Sequence, residues 1–167
     1  MRYLLLIFLI FCIYIFYEGL KKDPKIIPSN LIYKKIPDFY IKGYDNSEFS
    51  VQDLQNKNVK IVNFFASWCP PCRIEHEQLK DLSQTVDLFG VAKKNKMIDL
   101  SLWLGELGNP YKRIGMDYQG LTSIEWGVYG LPETFVIDKD GIIKYRHVGP
   151  IMKRDLSKIK NIIESLR

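Results

Sequence analysis

From Val59 to Phe65 the chain runs Val-Lys-Ile-Val-Asn-Phe-Phe, and Ala-Ser-Trp then leads into Cys69-Pro70-Pro71-Cys72. A short, nearly continuous apolar run rich in β-branched and aromatic residues is a buried strand. The residues after Cys69 carry helical spacing. A strand that delivers two thiols to the first turn of a helix leaves few folds open. At that spacing the cysteines can close a disulfide with each other and pass it to another protein. The positive end of the helix dipole falls on the first cysteine and favours its thiolate. A redox dithiol is the reading these residues support first.

The bulk numbers narrow the alternatives. With 167 residues, of which 47% are hydrophobic, the chain can bury one domain's core and carry a short extra segment. Its formal net charge is +5, and the basic residues are scattered as Lys34-Lys35, Lys93-Lys94 with Lys96, and Lys153-Arg154. No basic stripe interleaved with aromatics is present, which argues against a nucleic-acid partner. Cys12 is the third cysteine. One remaining pair builds no disulfide scaffold, and with only His76 and His147 to join it a four-ligand zinc site is not expected. No metal, nucleotide or haem ligand set is visible, so no cofactor is expected.

Tyr3 to Tyr17 is uninterrupted apolar sequence, bounded by Arg2 and Glu18. With Gly19 and Leu20 it reaches the lower limit of a membrane span. A cleaved signal peptide would end in small residues; Tyr-Ile-Phe-Tyr-Glu-Gly-Leu-Lys-Lys has no such site. Aromatics at both ends suit an interfacial belt. Residues 1–20 are therefore expected to be an uncleaved signal anchor, with Cys12 a small hydrophobe in lipid. Lys21, Lys22 and Lys25 follow the span, and counting positive charge alone would keep that side in the cytoplasm. The dithiol instead argues for a domain outside it. Residues 21–36, punctuated by Pro24 and Pro28, read as a tether. The domain is then 37–167.

Along that domain, Pro37 to Ile41 and Glu48 to Ser50 flank Gly43-Tyr44-Asp45-Asn46, a hairpin signal. Ser50-Val51-Gln52-Asp53 resembles a helix-start box. The helix after Cys69 is expected to carry Ile74, Leu79, Leu82 and Val86 inward. Asp87 to Ala92 is a second core strand, and Ile98 to Leu107 is a helix stopped by Gly108-Asn109-Pro110. Thr134 to Ile137 and Ile142 to Val148 form a hairpin around Asp138-Lys139-Asp140-Gly141. Leu156, Ile159, Ile162, Ile163 and Leu166 stripe a final helix. The fold class is α/β and thioredoxin-like: a central mixed sheet flanked by helices, an N-terminal hairpin and an anchor helix.

Four blocks carry a more specific resemblance. They are Asn63 to His76, Trp103 to Tyr111 (Trp-Leu-Gly-Glu-Leu-Gly-Asn-Pro-Tyr), Gly127 to Asp138 (Gly-Val-Tyr-Gly-Leu-Pro-Glu-Thr-Phe-Val-Ile-Asp), and Gly141 to Gly149. In these the chain resembles the CcmG/DsbE family, the membrane-anchored thioredoxin-like proteins of cytochrome c maturation. The segment Gly90 to Lys96 departs from the family's usual Asn-Tyr-Lys-Asp type sequence, and Pro-Pro is not its commonest pair between the cysteines.

From its place at the helix start, Cys69 is expected to attack, and Cys72, one turn deeper, to resolve the mixed disulfide. Pro70 and Pro71 stiffen the turn without costing a helical hydrogen bond. Trp68 and the prolines suggest an exposed loop. The resemblance implies that Leu131-Pro132 is a cis bond facing the cysteine pair, and that Trp68 and Leu131 meet the substrate. Asn63 stands where thioredoxins commonly bury an Asp. It cannot titrate, so Glu75, three residues after Cys72, and Glu133, directly after Pro132, become the acid–base candidates. His76 is expected on the helix surface and His147 in a structural strand position. The resemblance further implies a reductant of apocytochrome c or of a maturation partner, a membrane-bound electron donor, and a single-pass inner-membrane protein whose domain faces the periplasm. A tethered reductase of another envelope pathway, such as spore or oxidase assembly, and a non-catalytic adaptor are the alternatives.

Overall fold

The computed structural model describes residues 2–21 and 30–167. Helix α1 spans Arg2–Leu20 and is the one helix among the described residues long and apolar enough to cross a membrane. At 1.5 Å per residue its length is about 28 Å, close to a bilayer's hydrocarbon thickness. Half of the expected tether, residues 22–29 with Pro24 and Pro28, lies outside the described residues. Its last part does not read as a tether. Tyr33 N donates to Ile143 O at 2.8 Å and Ile36 N to Gly141 O at 2.9 Å. Leu31, Ile32 and Ile36 pack against the core. These apolar side chains find burial that the prolines and lysines around them obscured.

Strands β1 (Tyr40–Gly43), β2 (Glu48–Ser50), β3 (Lys60–Phe65), β4 (Asp87–Lys93), β5 (Arg113–Asp117), β6 (Glu133–Ile137) and β7 (Ile143–Val148) form one sheet in the order β2-β1-β5-β4-β3-β6-β7. β3, β4 and β5 are parallel and the remaining pairings antiparallel. The sheet is thus mixed, with β3 central and buried at every position. Alternation along β3 sends Ile61 and Phe65 to one face and Val62 and Phe64 to the other. On the first face they meet α2 (Pro70–Ser83), α3 (Met97–Leu107) and α5 (Lys153–Ser165), through Leu79, Leu82, Trp103, Ile159 and Ile163. The second face packs Phe39, Phe49, Leu54, Trp126 and Phe135. The helix-start box at Ser50 opens only a short 3-10 turn, Val51–Leu54, where the Asp53 carboxylate accepts from Ser50 N at 2.9 Å.

Two elements escape the periodicity argument: β5 and the short α4 (Leu121–Glu125). β5 reads Arg-Ile-Gly-Met-Asp, and its glycine looks like a breaker. In the sheet a Cβ on Gly115 would collide with Ile41 and Phe49. The glycine marks close approach, not a turn. Within α2, Leu79 and Leu82 are buried as expected, but Ile74 is 57% exposed. The inward positions beside it belong to Glu75 and His76 instead.

Candidate active site

β3 ends at the α2 start, so the strand's direction sets where the cysteines stand. Cys69 is the N-cap residue of α2, in extended backbone. It is disulfide-bonded to Cys72, with Cα atoms 5.3 Å apart. Pro70 and Pro71 have no N–H, so the first amide of α2 is that of Cys72, and it is shared between Cys69 O at 3.1 Å and Cys69 Sγ at 3.3 Å. The sulfur at the helix start therefore receives one directed amide plus the dipole. The expected exposure falls on Trp68, 59% exposed, and not on Cys69, which is 4% exposed. The sulfurs belong to the core that α2 packs on, while the indole stands clear of it.

A separate loop clamps this turn. Asn95 Oδ1 accepts from Ser67 N at 2.6 Å, and its amide donates to Ser67 Oγ at 3.0 Å. Trp68 Nε1 donates to Lys94 O at 3.1 Å. These contacts come from the segment that departs from the CcmG/DsbE pattern.

His76 is not on the helix surface as expected, and the acid–base candidate Glu75 lies inside with it. Glu75 is fully buried; its Oε1 accepts from Asn63 Nδ2 at 2.8 Å and its Oε2 from Ile151 N at 3.0 Å. No cation is among these partners. Burial pushes its carboxyl up to about 8, against the opposing pull of the two hydrogen bonds. His76 is buried against Trp103, with ring centroids 4.5 Å apart, and its Nε2 meets Gly108 O at 3.0 Å. Burial lowers its pKa first, and the Gly108 carbonyl opposes that. Nε2 is then the protonated nitrogen.

The Leu131–Pro132 peptide is cis. Leu131 is half-buried and packs against both cores. Glu133 is as buried as Glu75, but its surroundings differ. Oε1 accepts from Tyr129 N at 2.8 Å and Gly130 N at 3.2 Å. Oε2 receives Nε and a terminal nitrogen of Arg146, both at 2.7 Å. Arg146 also donates to Gly127 O at 3.2 Å. The carboxylate is thus the keystone of the Gly127–Pro132 turn. His147 lies in β7 as expected, with its register partner Thr134.

Arg146, Asn95, Tyr111 and Thr134 were not singled out from sequence. Arg146 had a signal: it is a basic residue on the strand that pairs with the one carrying Glu133, where it can neutralise a buried carboxylate. Asn95 had none. A cleft of about 730 Å³ between Tyr40, Tyr118 and Leu121 is lined by neither cysteine nor by Glu75 or Glu133. What the cysteines present is a closed, nearly buried disulfide next to an exposed indole.

The comparisons agree with this geometry. The Redoxin family model matches residues 33–163. The Escherichia coli K12 thiol:disulfide interchange protein DsbE is 43% identical over 136 residues, which is 79% of this chain and 73% of that protein. The DsbE homolog of Paracoccus denitrificans is 38% identical over 137 residues, 81% of this chain and 76% of its own. A Chlorobium tepidum crystal structure described as a DsbE thiol:disulfide interchange protein superposes with a TM-score of 0.66 at 27% identity, covering 79% of this chain and 94% of that one. Family, fold and dithiol point the same way: the chain belongs to the Redoxin family, among the DsbE thiol:disulfide interchange proteins, and is a thioredoxin-like thiol–disulfide oxidoreductase.

Proposed function

We propose that this protein is a membrane-tethered reductant of protein disulfides in cytochrome c maturation, with α1 spanning the inner membrane once and the domain facing the periplasm. Its substrates are the disulfides of apocytochrome c or of a maturation partner, and a membrane-bound dithiol protein re-reduces it. The observation that carries the reading is Cys69 as the N-cap of α2, its sulfur accepting the first available helix amide.

In the reduced protein the Cys69 thiolate attacks one sulfur of the substrate disulfide. A mixed disulfide forms, and the other substrate sulfur leaves as a thiolate that takes a proton. Cys72 then gives its proton to the Glu75 carboxylate and attacks Cys69 Sγ. The second substrate thiolate leaves and takes that proton from Glu75, the first having taken one from water, so Cys69–Cys72 is oxidised as the substrate gains two electrons and two protons. Glu75 suits that exchange because its carboxyl, raised to about 8, is matched to a thiol near neutral pH. Glu133 serves as a positioning residue: it ties Tyr129 and Gly130 to Arg146, next to Leu131 and Pro132. Trp68 and Leu131 flank the extended substrate.

Roles are tested by trapping. Cys72→Ala keeps an attacking thiol and loses its resolver, so non-reducing gels of envelope membranes should show mixed disulfides containing apocytochrome c or a maturation protein. Cys69→Ala should show none. Adducts with both variants, or with neither, would overturn the assignment.

A further inference from the structure

Asn63 cannot titrate, yet it occupies the middle of β3, with every polar atom of its side chain engaged. Nδ2 donates to Glu75 Oε1 at 2.8 Å and to Thr134 Oγ1 at 3.0 Å. Oδ1 accepts from the Tyr111 hydroxyl at 2.8 Å. An amide has two faces that differ in kind: one donates and the other accepts. A carboxylate can only accept, so an ionised Glu75 needs the donor face. A protonated Glu75 could instead donate to the acceptor face, if the amide turned over.

The Tyr111 hydroxyl decides which face Glu75 meets. It has one proton, and Asn63 Oδ1 is its acceptor. While that bond holds, the Asn63 oxygen points at Tyr111 and the NH2 group at Glu75. Turned over, the amide would leave that buried phenolic proton without its acceptor, while Thr134 Oγ1 accepts from Nδ2 in the present orientation and supports it.

The fold takes trouble to bring Tyr111 here. In register, Gly90 of β4 lies beside Asn63. A Cβ on Gly90 would come within 3.0 Å of Tyr111 Cδ1 and 2.9 Å of Phe65 Cε1. The missing side chain is the room through which the tyrosine ring reaches Asn63. The ring stacks on Phe65, with centroids 4.6 Å apart. Its own backbone is fixed by Asn109 Oδ1, which accepts from Tyr111 N at 3.0 Å. So the Gly-Asn-Pro-Tyr segment and the glycine of β4 together aim one hydroxyl at one amide.

We propose that Tyr111, acting through Asn63, is a positioning residue that locks the amide's donor face onto Glu75 and so keeps that carboxylate able to take the Cys72 proton. This rests on the reading of Glu75 as the proton exchanger. The groups facing Glu75 are Asn63 from β3, Tyr111 from the segment before β5, and the Ile151 amide before α5, with Thr134 of β6 behind Asn63. Cys72 stands one turn earlier on the same helix. Tyr111 itself stays protonated, because burial and then the Glu75 charge push its hydroxyl well above the usual range.

The test uses the full chain in detergent micelles. Tyr111→Phe removes the hydroxyl and keeps the ring on Phe65. The Glu75 titration is followed by the carboxyl infrared band, assigned by its loss in Glu75→Gln. Loss of one neutral hydrogen bond from the chain should raise the Glu75 midpoint, lowering its acid constant about three- to tenfold. Closure of the mixed disulfide by Cys72 at neutral pH should slow by a similar factor, while attack by Cys69 on a model disulfide keeps its rate. An unmoved Glu75 midpoint in Tyr111→Phe would overturn the lock and leave the Glu75 reading intact. Unchanged pH dependence of closure in Glu75→Gln would overturn the Glu75 reading instead. The unsubstituted protein provides a second check should the variant fold poorly. One Asn63 side-chain amide proton should shift in NMR through the Glu75 titration, and a stationary signal refutes the lock.

Discussion

Glu75 and Glu133 are both fully buried carboxylates in one domain, each within three residues of a residue at the redox site. Their environments are opposite in one respect. Glu133 meets a guanidinium and two backbone amides. Glu75 meets an amide side chain and one backbone amide, all neutral. Burial penalises a charge in either place; neutral hydrogen bonds offset part of that penalty, and a counter-charge offsets more. So its neutral surroundings suit Glu75 to the proton exchange proposed for it, and the guanidinium makes Glu133 a fastener of the turn. The chemistry of a buried carboxyl is set by what it faces more than by how deep it lies.

The largest effect that could break this comparison is the pH dependence of stability. A carboxyl whose folded pKa lies above its unfolded value binds more protons folded than unfolded between the two. Stability therefore falls as pH rises across that window. For Glu75 the window runs from the ordinary 4.5 to about 8. The stability it contributes is complete below the lower value and lost by the upper one, with a ceiling of about 5 kcal/mol. Urea unfolding across that range should show the decline, and Glu75→Gln should flatten it. A slope that survives the substitution would mean that Glu75 is not the group carrying it.

The second effect tests the fastener. Arg146→Met removes the cation and leaves Glu133 buried against two amides. Breaking a buried pair on one side costs about 3–5 kcal/mol. Chemical denaturation at neutral pH should record a loss of that order. The turn from Gly127 to Pro132 should also gain amide hydrogen exchange, because Arg146 holds Gly127 O and Glu133 holds the amides of Tyr129 and Gly130. A loss near zero would mean that the pair is not closed in solution, and the contrast with Glu75 would fail.

Much of this contrast is invisible in the sequence. The strand ending at Phe65, the cysteine pair and the helix after it are local patterns, and they come out of periodicity and spacing alone. The resemblance supplied the cis bond at Pro132. What local patterns misplace is polarity that faces inward. Glu75 and His76 follow Arg73 and Ile74, and a helix turn with two ionisable residues reads as solvent-facing. Inside the fold, Ile74 is the outward residue, because the partners of Glu75 come from β3 and from the segment before α5, far along the chain. Gly115 and Gly90 look like weak points in their strands. Each is instead where a neighbouring side chain passes close to the backbone. Leu31, Ile32 and Ile36 lie in a stretch that prolines and lysines make look like a tether, although their apolarity is a legible sign of burial.

The smallest effect sharpens the comparison by holding the chemistry fixed and changing only the solvent. Arg73 and Glu106 form a second arginine–glutamate pair, joining the first turn of α2 to the last turn of α3. Its geometry is better than that of the buried pair: NH1 reaches Oε1 at 2.7 Å and NH2 reaches Oε2 at 2.8 Å, a two-pronged contact. Both side chains are nevertheless open to water, at 47% and 60% exposure. Water already solvates each charge, so little is gained by pairing them, and salt screens what remains. Glu106→Gln should therefore move the denaturation midpoint far less than Arg146→Met, and molar salt should erase the shift. The Arg146→Met loss should persist in the same salt, since its penalty is a desolvated carboxylate with no counter-charge. If Glu106→Gln proved as costly as Arg146→Met, contact geometry would govern these pairs and solvent exposure would not, and the distinction between Glu75 and Glu133 would need another cause.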